Sequence, residues 1–243
     1  MICLALDTSG PVGSVSLASG GSVIASGRFG ERRSHMREIG EAVDRVLANG
    51  GCTVRDIQRI AIVSGPGSFT GLRIGMAFVK GLCAARGLPV VTVDGLMLLA
   101  VPLVEQSGLV LSMIDARKDQ VYAALYRPAG TDGGAEQLLA PAVDSPGEVL
   151  ASVARLEEFG KNARTVACAG SGAMRYARRI GDALGPGARL APAEMHLPST
   201  DILALLARSM TPVADERLPE LTPFYIRASD AELKPLREVR PGE

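Results

Sequence analysis

The order of apolar runs and turns is written twice along this chain, and that repetition constrains the fold more than any single motif. Residues 2–7 (ICLALD) form a short apolar run ending at Asp7, followed by Thr8-Ser9-Gly10-Pro11. Residues 13–18 alternate small polar and apolar side chains, and residues 22–29 follow the turn Gly20-Gly21. Period-two alternation punctuated by Gly and Pro marks strands, and three in immediate succession imply an antiparallel meander. From Ser34 the period changes. Met36, Ile39, Val43, Val46 and Leu47 fall at helical spacing, with Ser34 as N-cap and Asn49-Gly50-Gly51 as the stop. A strand (58–63), a Gly-rich loop, a helix (70–86), a strand (90–93) and a helix (95–105) complete this half. After Ser107-Gly108 the grammar restarts, with strands at 109–114, 120–126 and 136–143. A helix (147–156), a strand (164–169), the turn Gly170-Ser171-Gly172 and helices at 173–184 and 200–210 close the second half.

Asp7 and Asp115 therefore stand at matching places, each at the end of its half's first strand. Two such units facing one another describe an α/β protein of the actin/hexokinase/Hsp70-like (ASKHA) architecture. There, duplicated ribonuclease H-like subdomains enclose a cleft in which a nucleotide can sit. The expected divisions are an N-terminal subdomain (1–105), a C-terminal subdomain (106–198), a helix and segment packing back on the body (199–226) and a charged, mobile tail (227–243).

Composition narrows the function. Lys plus Arg and Asp plus Glu are 26 each, so the net charge is zero, and neither a basic excess nor a basic stripe is evident. A role in RNA chemistry would then be indirect or shared with a partner. Aromatics make up 4% of the chain with no Trp, which argues against a stacking platform of several rings. The four cysteines are scattered, with no CxxC pair, so a zinc ribbon is unsupported and reduced thiols of a cytoplasmic protein are expected. No run approaches the roughly 20 apolar residues of a membrane span.

The strongest local signal is Ser64–Gly75, SGPGSFTGLRIG. Three glycines and a proline in residues 64–71, between a buried strand and a helix, mean that something approaches the backbone closely. A helix N-terminus makes phosphate one candidate and tight strand-to-helix packing the other. The segment is neither a P-loop nor GxGxxG.

This segment closely resembles the signature of the TsaB/YeaZ family, and other stretches match it in order: ICLALDTS, the Ser34-His35 helix start, IDARKDQVYAALY at 114–126, AGSG at 169–172 and TPFYIR at 222–227. The resemblance implies a non-catalytic subunit of the complex that transfers threonylcarbamoyl to the adenosine beside the anticodon of tRNAs reading codons that begin with A. It implies a TsaD-like catalytic subunit and a TsaE-like ATPase as partners, a homodimer when the partner is absent, and only indirect contact with tRNA. It implies no cofactor of the chain's own, and admits ATP or ADP at the interface of the complex.

The residues agree with a lost activity. The catalytic paralogue is expected to hold a metal through paired histidines on a helix, whereas here His35 has Ile39 at i+4 and the other histidine is His196. No catalytic or metal-ligating set is assigned. Asp7, Thr8, Ser9, Arg117, Gly170 and Gly172 are the candidates for residual nucleotide contact. Arg117 could instead fill the cleft through a salt bridge to Asp7 or Asp119, and Gly170–Gly172 could be a tight strand–helix connection.

The two early helices point to assembly. Residues 71–85 are apolar or small almost all round, and such a helix is buried on every side. Gly71 and Gly75 share one face, a spacing that lets another backbone approach. Met36, Ile39, Val43 and Val46 make a 3–4–3 seam. The resemblance implies that these helices pair with their equivalents in the catalytic subunit, through those residues together with Ile74 and Phe78. The alternative is that both stripes face the internal sheet. A rival function of another class is an independent cleft ATPase or transferase.

Overall fold

A computed structural model describes residues 1–30, 35–129, 134–156, 165–214 and 217–227. The first half runs β1 (Ile2–Asp7), β2 (Gly13–Ser19), β3 (Ser22–Phe29), α1 (His35–Asn49), β4 (Arg59–Gly65), α2 (Phe69–Arg86), β5 (Val90–Asp94) and α3 (Gly95–Ser107). The second runs β6 (Leu109–Arg117), β7 (Gln120–Pro128), β8 (Ala135–Asp144), α4 (Pro146–Ala154), β9 (Val166–Ala169), α5 (Ser171–Arg175), α6 (Ala177–Leu184) and β10 (Ala188–Leu190), with α7 (Thr200–Leu206) after it.

Each half builds a five-stranded sheet of the same order, β3-β2-β1-β4-β5 and β8-β7-β6-β9-β10. In each, the first three strands are antiparallel and the fourth and fifth run parallel to the first. The repeated order is the duplicated ribonuclease H-like arrangement of the ASKHA architecture.

Strand alternation decides the layering. Leu4, Leu6, Ile60 and Ile62 point to one face of the first sheet and share a core with Ile39, Val43, Val46, Met76 and Val79 of α1 and α2. Their neighbours Cys3, Ala5, Ala61 and Val63 point the other way, onto Leu98 of α3 and Leu203 and Ala204 of α7. The central side chains are smaller, which lets α3 and α7 lie close to the sheet. Helix α3 also packs on the second sheet through Leu99, Leu103, Val110, Ala124 and Tyr126. The outer face of that sheet, with Leu111, Met113 and Leu125, is covered by Leu150, Val153, Ile180 and Leu184 of α4 and α6. The layers are thus α1/α2, sheet, α3/α7, sheet, α4–α6.

The halves are tied at Asp94. Its carboxylate caps α3 by accepting the Leu96 N–H (2.8 Å) and accepts the Tyr126 hydroxyl of β7 (3.2 Å). Burial raises the Asp94 carboxyl pKa above its ordinary value, against the pull of these bonds, and burial beside Asp94 raises that of Tyr126.

Three features differ from the sequence reading. The helix expected over 173–184 is broken at Tyr176, whose φ of −108° leaves the helical region. The last helix ends at Leu206, short of 210, and Arg59 donates to the carbonyls of Ala207 and Met210 beyond it. Strand β10 was not foreseen, since three residues carry too little periodicity. Ser34 and the tail beyond Arg227 lie outside the described residues. Among the described residues, no helix is long and apolar enough to cross a membrane.

Candidate functional site

The Gly-rich segment lies beside the first turn, and its own chain fills the space its glycines leave. Ser68 caps α2 by accepting the Gly71 N–H (3.2 Å), while its own N–H donates to the Ser9 carbonyl (2.7 Å). A Cβ on Gly67 would stand 2.5 Å from that carbonyl oxygen. A Cβ on Gly71 would collide with the Thr8 carbonyl oxygen, and one on Gly75 with the Thr8 hydroxyl. Tight packing accounts for all three glycines. This corrects the assignment of Gly71 and Gly75 to a partner face: both are buried and point at Thr8.

The second half repeats the device. Gly170, at φ +105°, would bring a Cβ into the Met113 carbonyl oxygen, and a Cβ on Gly172 would lie 3.0 Å from it. His196 is consumed here: Nδ1 accepts the Gly170 N–H (3.1 Å) and Nε2 donates to the Ala191 carbonyl (2.9 Å), a tautomer assigned from those partners. The side chains of His35 and Met36 lie outside the described residues.

Between the halves is a cleft of about 740 Å³. Of the six nucleotide-contact candidates, Ser9 and Arg117 line it, whereas Asp7, Thr8, Gly170 and Gly172 do not. Asp7 is buried and accepts the Ser9 N–H (2.7 Å), which shapes the turn. Asp115 accepts the Arg117 N–H (3.0 Å) and pairs with Arg175 (2.9 Å), so the carboxylate at this second turn is held by a cation other than Arg117. Arg117, Lys118 and Asp119 all have positive φ, at +60°, +51° and +53°.

One wall of the cleft comes from the segment 222–227. It docks. The Phe224 N–H donates to the Ser64 carbonyl (2.8 Å), and Gly65 must lack a Cβ because one would sit 2.8 Å from the Phe224 carbonyl oxygen. Arg73 of α2 holds the segment through the Tyr225 hydroxyl (3.1 Å), and Lys80 holds the chain just before it through the Pro219 carbonyl (2.6 Å). Arg227 then reaches Gln120 of the other half (2.9 Å). Sequence reasoning missed Phe224 and Tyr225 as cleft residues, although an apolar patch before a charged tail was the available signal.

The two early helices divide their surfaces unequally. Ile39, Val43 and Val46 are at most 4% exposed and face the chain's own sheet, which corrects their assignment to a partner interface. The alternation of the sheet supplies them with Leu4, Leu6, Ile60 and Ile62, so their apolar area is satisfied internally. The outer face of α1 is Glu41, Asp44, Arg45 and Ala48, which is a solvated surface. Helix α2 is different. Ala77, Gly81, Ala84 and Ala85 are exposed, Ile74 and Phe78 are only half-buried, and a Cβ at Gly81 would meet open space.

These features define a two-lobed protein of the ASKHA architecture whose first turn is closed onto its own helix. A family model described as "TsaD: tRNA N6-adenosine threonylcarbamoyltransferase" matches residues 31–227. The chain is 30% identical over 96% of its length to the tRNA threonylcarbamoyladenosine biosynthesis protein TsaB of Bacillus subtilis, covering 97% of that protein. The solved structure of YeaZ from Pseudomonas aeruginosa superposes with a TM-score of 0.72 at 30% identity, over 92% of this chain and 99% of that one. A tRNA N6-adenosine threonylcarbamoyltransferase of Lawsonia intracellularis shares 31% identity over 111 residues, 40% of this chain and 31% of that protein. The chain belongs to the TsaB/YeaZ family.

Proposed function

We propose that this protein works in tRNA threonylcarbamoyladenosine biosynthesis as a non-catalytic scaffold, docking the outer face of α2 onto a TsaD-like catalytic subunit. The observation that carries the reading is the asymmetry of the two early helices. Helix α1 covers Ile39, Val43 and Val46 with its own sheet, whereas α2 keeps Ala77, Gly81 and Ala84 exposed beside half-buried Ile74 and Phe78. Small residues let a partner helix approach closely, and covering Ile74 and Phe78 stabilises association at about 25 cal/mol per Å² of apolar area, less the entropy of association. A TsaE-like ATPase joins the complex, ATP or ADP sits where subunits meet, and the same face serves a homodimer when the partner is missing. The closed first turn supports a subunit without turnover of its own.

The test is co-purification. Ala77→Glu combined with Gly81→Glu places carboxylates on the exposed face, where neither side chain meets the chain's own core. The expected result is loss of the catalytic subunit from a pull-down by at least ten-fold, with an unchanged melting temperature. Normal co-purification of the double variant would remove this face from the interface.

The open cleft favours a second reading, an independent ATPase or transferase. Purified protein that turns over ATP, and stops doing so on Arg117→Ala with its fold intact, would select it.

A further inference from the structure

The fold gathers charge that the sequence disperses. Arg73, Arg117, Arg175 and Arg227 come from α2, the end of β6, α5 and the docked segment, and each lines the cleft or touches a residue that does. Arg117 and Arg227 line it directly. Arg73 stacks on Phe69 (3.7 Å) and donates to Tyr225, both lining residues. Arg175 pairs with the lining residue Asp115, and Arg179 lies 5.4 Å from the Tyr176 ring, whose hydroxyl donates to Asp119 (3.4 Å). Lys118 sits between Arg117 and Asp119. Four guanidiniums thus meet at the rim of the cleft, and Lys118 adds a charge in the same turn, in a chain whose net charge is zero.

The turn is also costly. Arg117, Lys118 and Asp119 lie at φ between +51° and +60°, a left-handed region that strains an L side chain and suits glycine. The backbone is held there by the Arg117 N–H bond to Asp115 and by the Tyr176 contact to Asp119. Arg and Lys occupying positions that suit Gly is a local conflict, and such conflicts collect at functional sites. Phe224 and Tyr225, beside Arg73 and Arg227, remain 41% and 39% exposed.

We propose that this rim is a contact surface for unpaired RNA, with the cations on successive phosphates and Tyr225 or Phe224 stacking on a base. The cations come from both lobes and from the segment that bridges them, which suits a polymer backbone that crosses the cleft. Guanidiniums already oriented by Asp115, Gln120 and aromatic rings lose little freedom on meeting phosphate. Two exposed rings suffice to stack one or two bases. The inference rests on the proposed function only in taking tRNA as the RNA.

The test measures binding of the isolated chain to a tRNA that reads a codon beginning with A, across a salt series. Arg117→Gly with Lys118→Gly removes two charges and relieves the turn, so the variant is expected to be at least as stable as wild type. It is expected to bind at least ten-fold more weakly, with a log–log salt slope shallower by about 1.4, from two phosphate contacts on a single strand. Tyr225→Ala is expected to weaken binding by about ten-fold with an unchanged slope, and Tyr225→Phe to restore it. Arg189→Ala, which removes an exposed cation outside the rim, leaves both unchanged. Absence of salt-dependent binding by wild type, or a glycine variant that binds like wild type, would overturn the inference. So would a glycine variant that keeps tRNA but loses the catalytic subunit, since the rim would then be a protein contact. Should wild type bind tRNA through the rim yet not co-purify with the catalytic subunit, the scaffold reading falls and this one stands.

Discussion

In the N-terminal half the chain leaving β1 is pressed onto α2, with Thr8 and Ser9 lying where side chains on Gly67, Gly71 and Gly75 would stand. In the C-terminal half the glycine contact occurs two residues before Asp115, at Met113, and the chain beyond it turns outward with Arg117 and Lys118 exposed. The sheets have the same strand order, so topology does not make the difference. The helix that follows the fourth strand does. Helix α2 has 18 residues and brings Gly71 and Gly75 alongside the turn. Helix α5 has five, ends at Tyr176, and leaves the second turn to Asp115, Ser171 and Arg175. A duplicated fold can thus close one of two equivalent turns and keep the other open simply by changing the length and glycine pattern of one helix.

The largest expected effect breaks the closed side. Gly71→Ala sets a Cβ against the Thr8 carbonyl, which cannot rotate away, and is expected to cost about 3 kcal/mol in urea unfolding. Gly75→Ala meets a side-chain hydroxyl instead, so the double variant Thr8→Ala/Gly75→Ala should recover most of its loss. Gly172→Ala, at 3.0 Å from the Met113 oxygen, should cost about 1 kcal/mol. Equal costs for Gly71→Ala and Gly172→Ala would erase the distinction between the two turns.

A smaller effect concerns the joint between the halves. The folded Asp94 carboxyl holds its proton more tightly than the unfolded one, because burial raises its pKa. Its contribution to stability is therefore greatest below the unfolded pKa of about 3.9 and is lost as pH rises through the folded value. Asp94→Asn keeps the cap through its one amide oxygen, while its NH2 can donate to the Tyr126 hydroxyl oxygen in place of accepting from it. It is expected to flatten that part of the pH–stability curve and to be no less stable at neutral pH. A curve unchanged in slope would show that Asp94 is not desolvated at the joint.

Much of this was legible in the sequence, because strand meanders and Gly-rich turns are local. The boundaries of β1, β3 and the start of α3 follow from Asp7, Gly20-Gly21 and Asp94. The faces of the helices were not legible in the same way. The 3–4–3 seam of α1 has the same appearance whether it meets its own sheet or a partner, and only the alternation of β1 and β4 in space assigns Ile39, Val43 and Val46 inward. Likewise Gly71 and Gly75 announce a close approach without naming Thr8 as its object. The cation rim was invisible for a simpler reason: Arg73, Arg117, Arg175 and Arg227 are far apart along the chain, so no stripe appears in a neutral composition.

Hydrogen exchange on this chain, alone and mixed with a TsaD-like subunit, bears most directly on the proposed docking through α2. Amides of α2 from Ile74 to Ala84 are expected to slow on complex formation, while those of Ile39–Val46, already sealed against their own sheet, change little. Protection that appeared elsewhere, with α2 exchanging at the same rate in both states, would contradict docking through this helix.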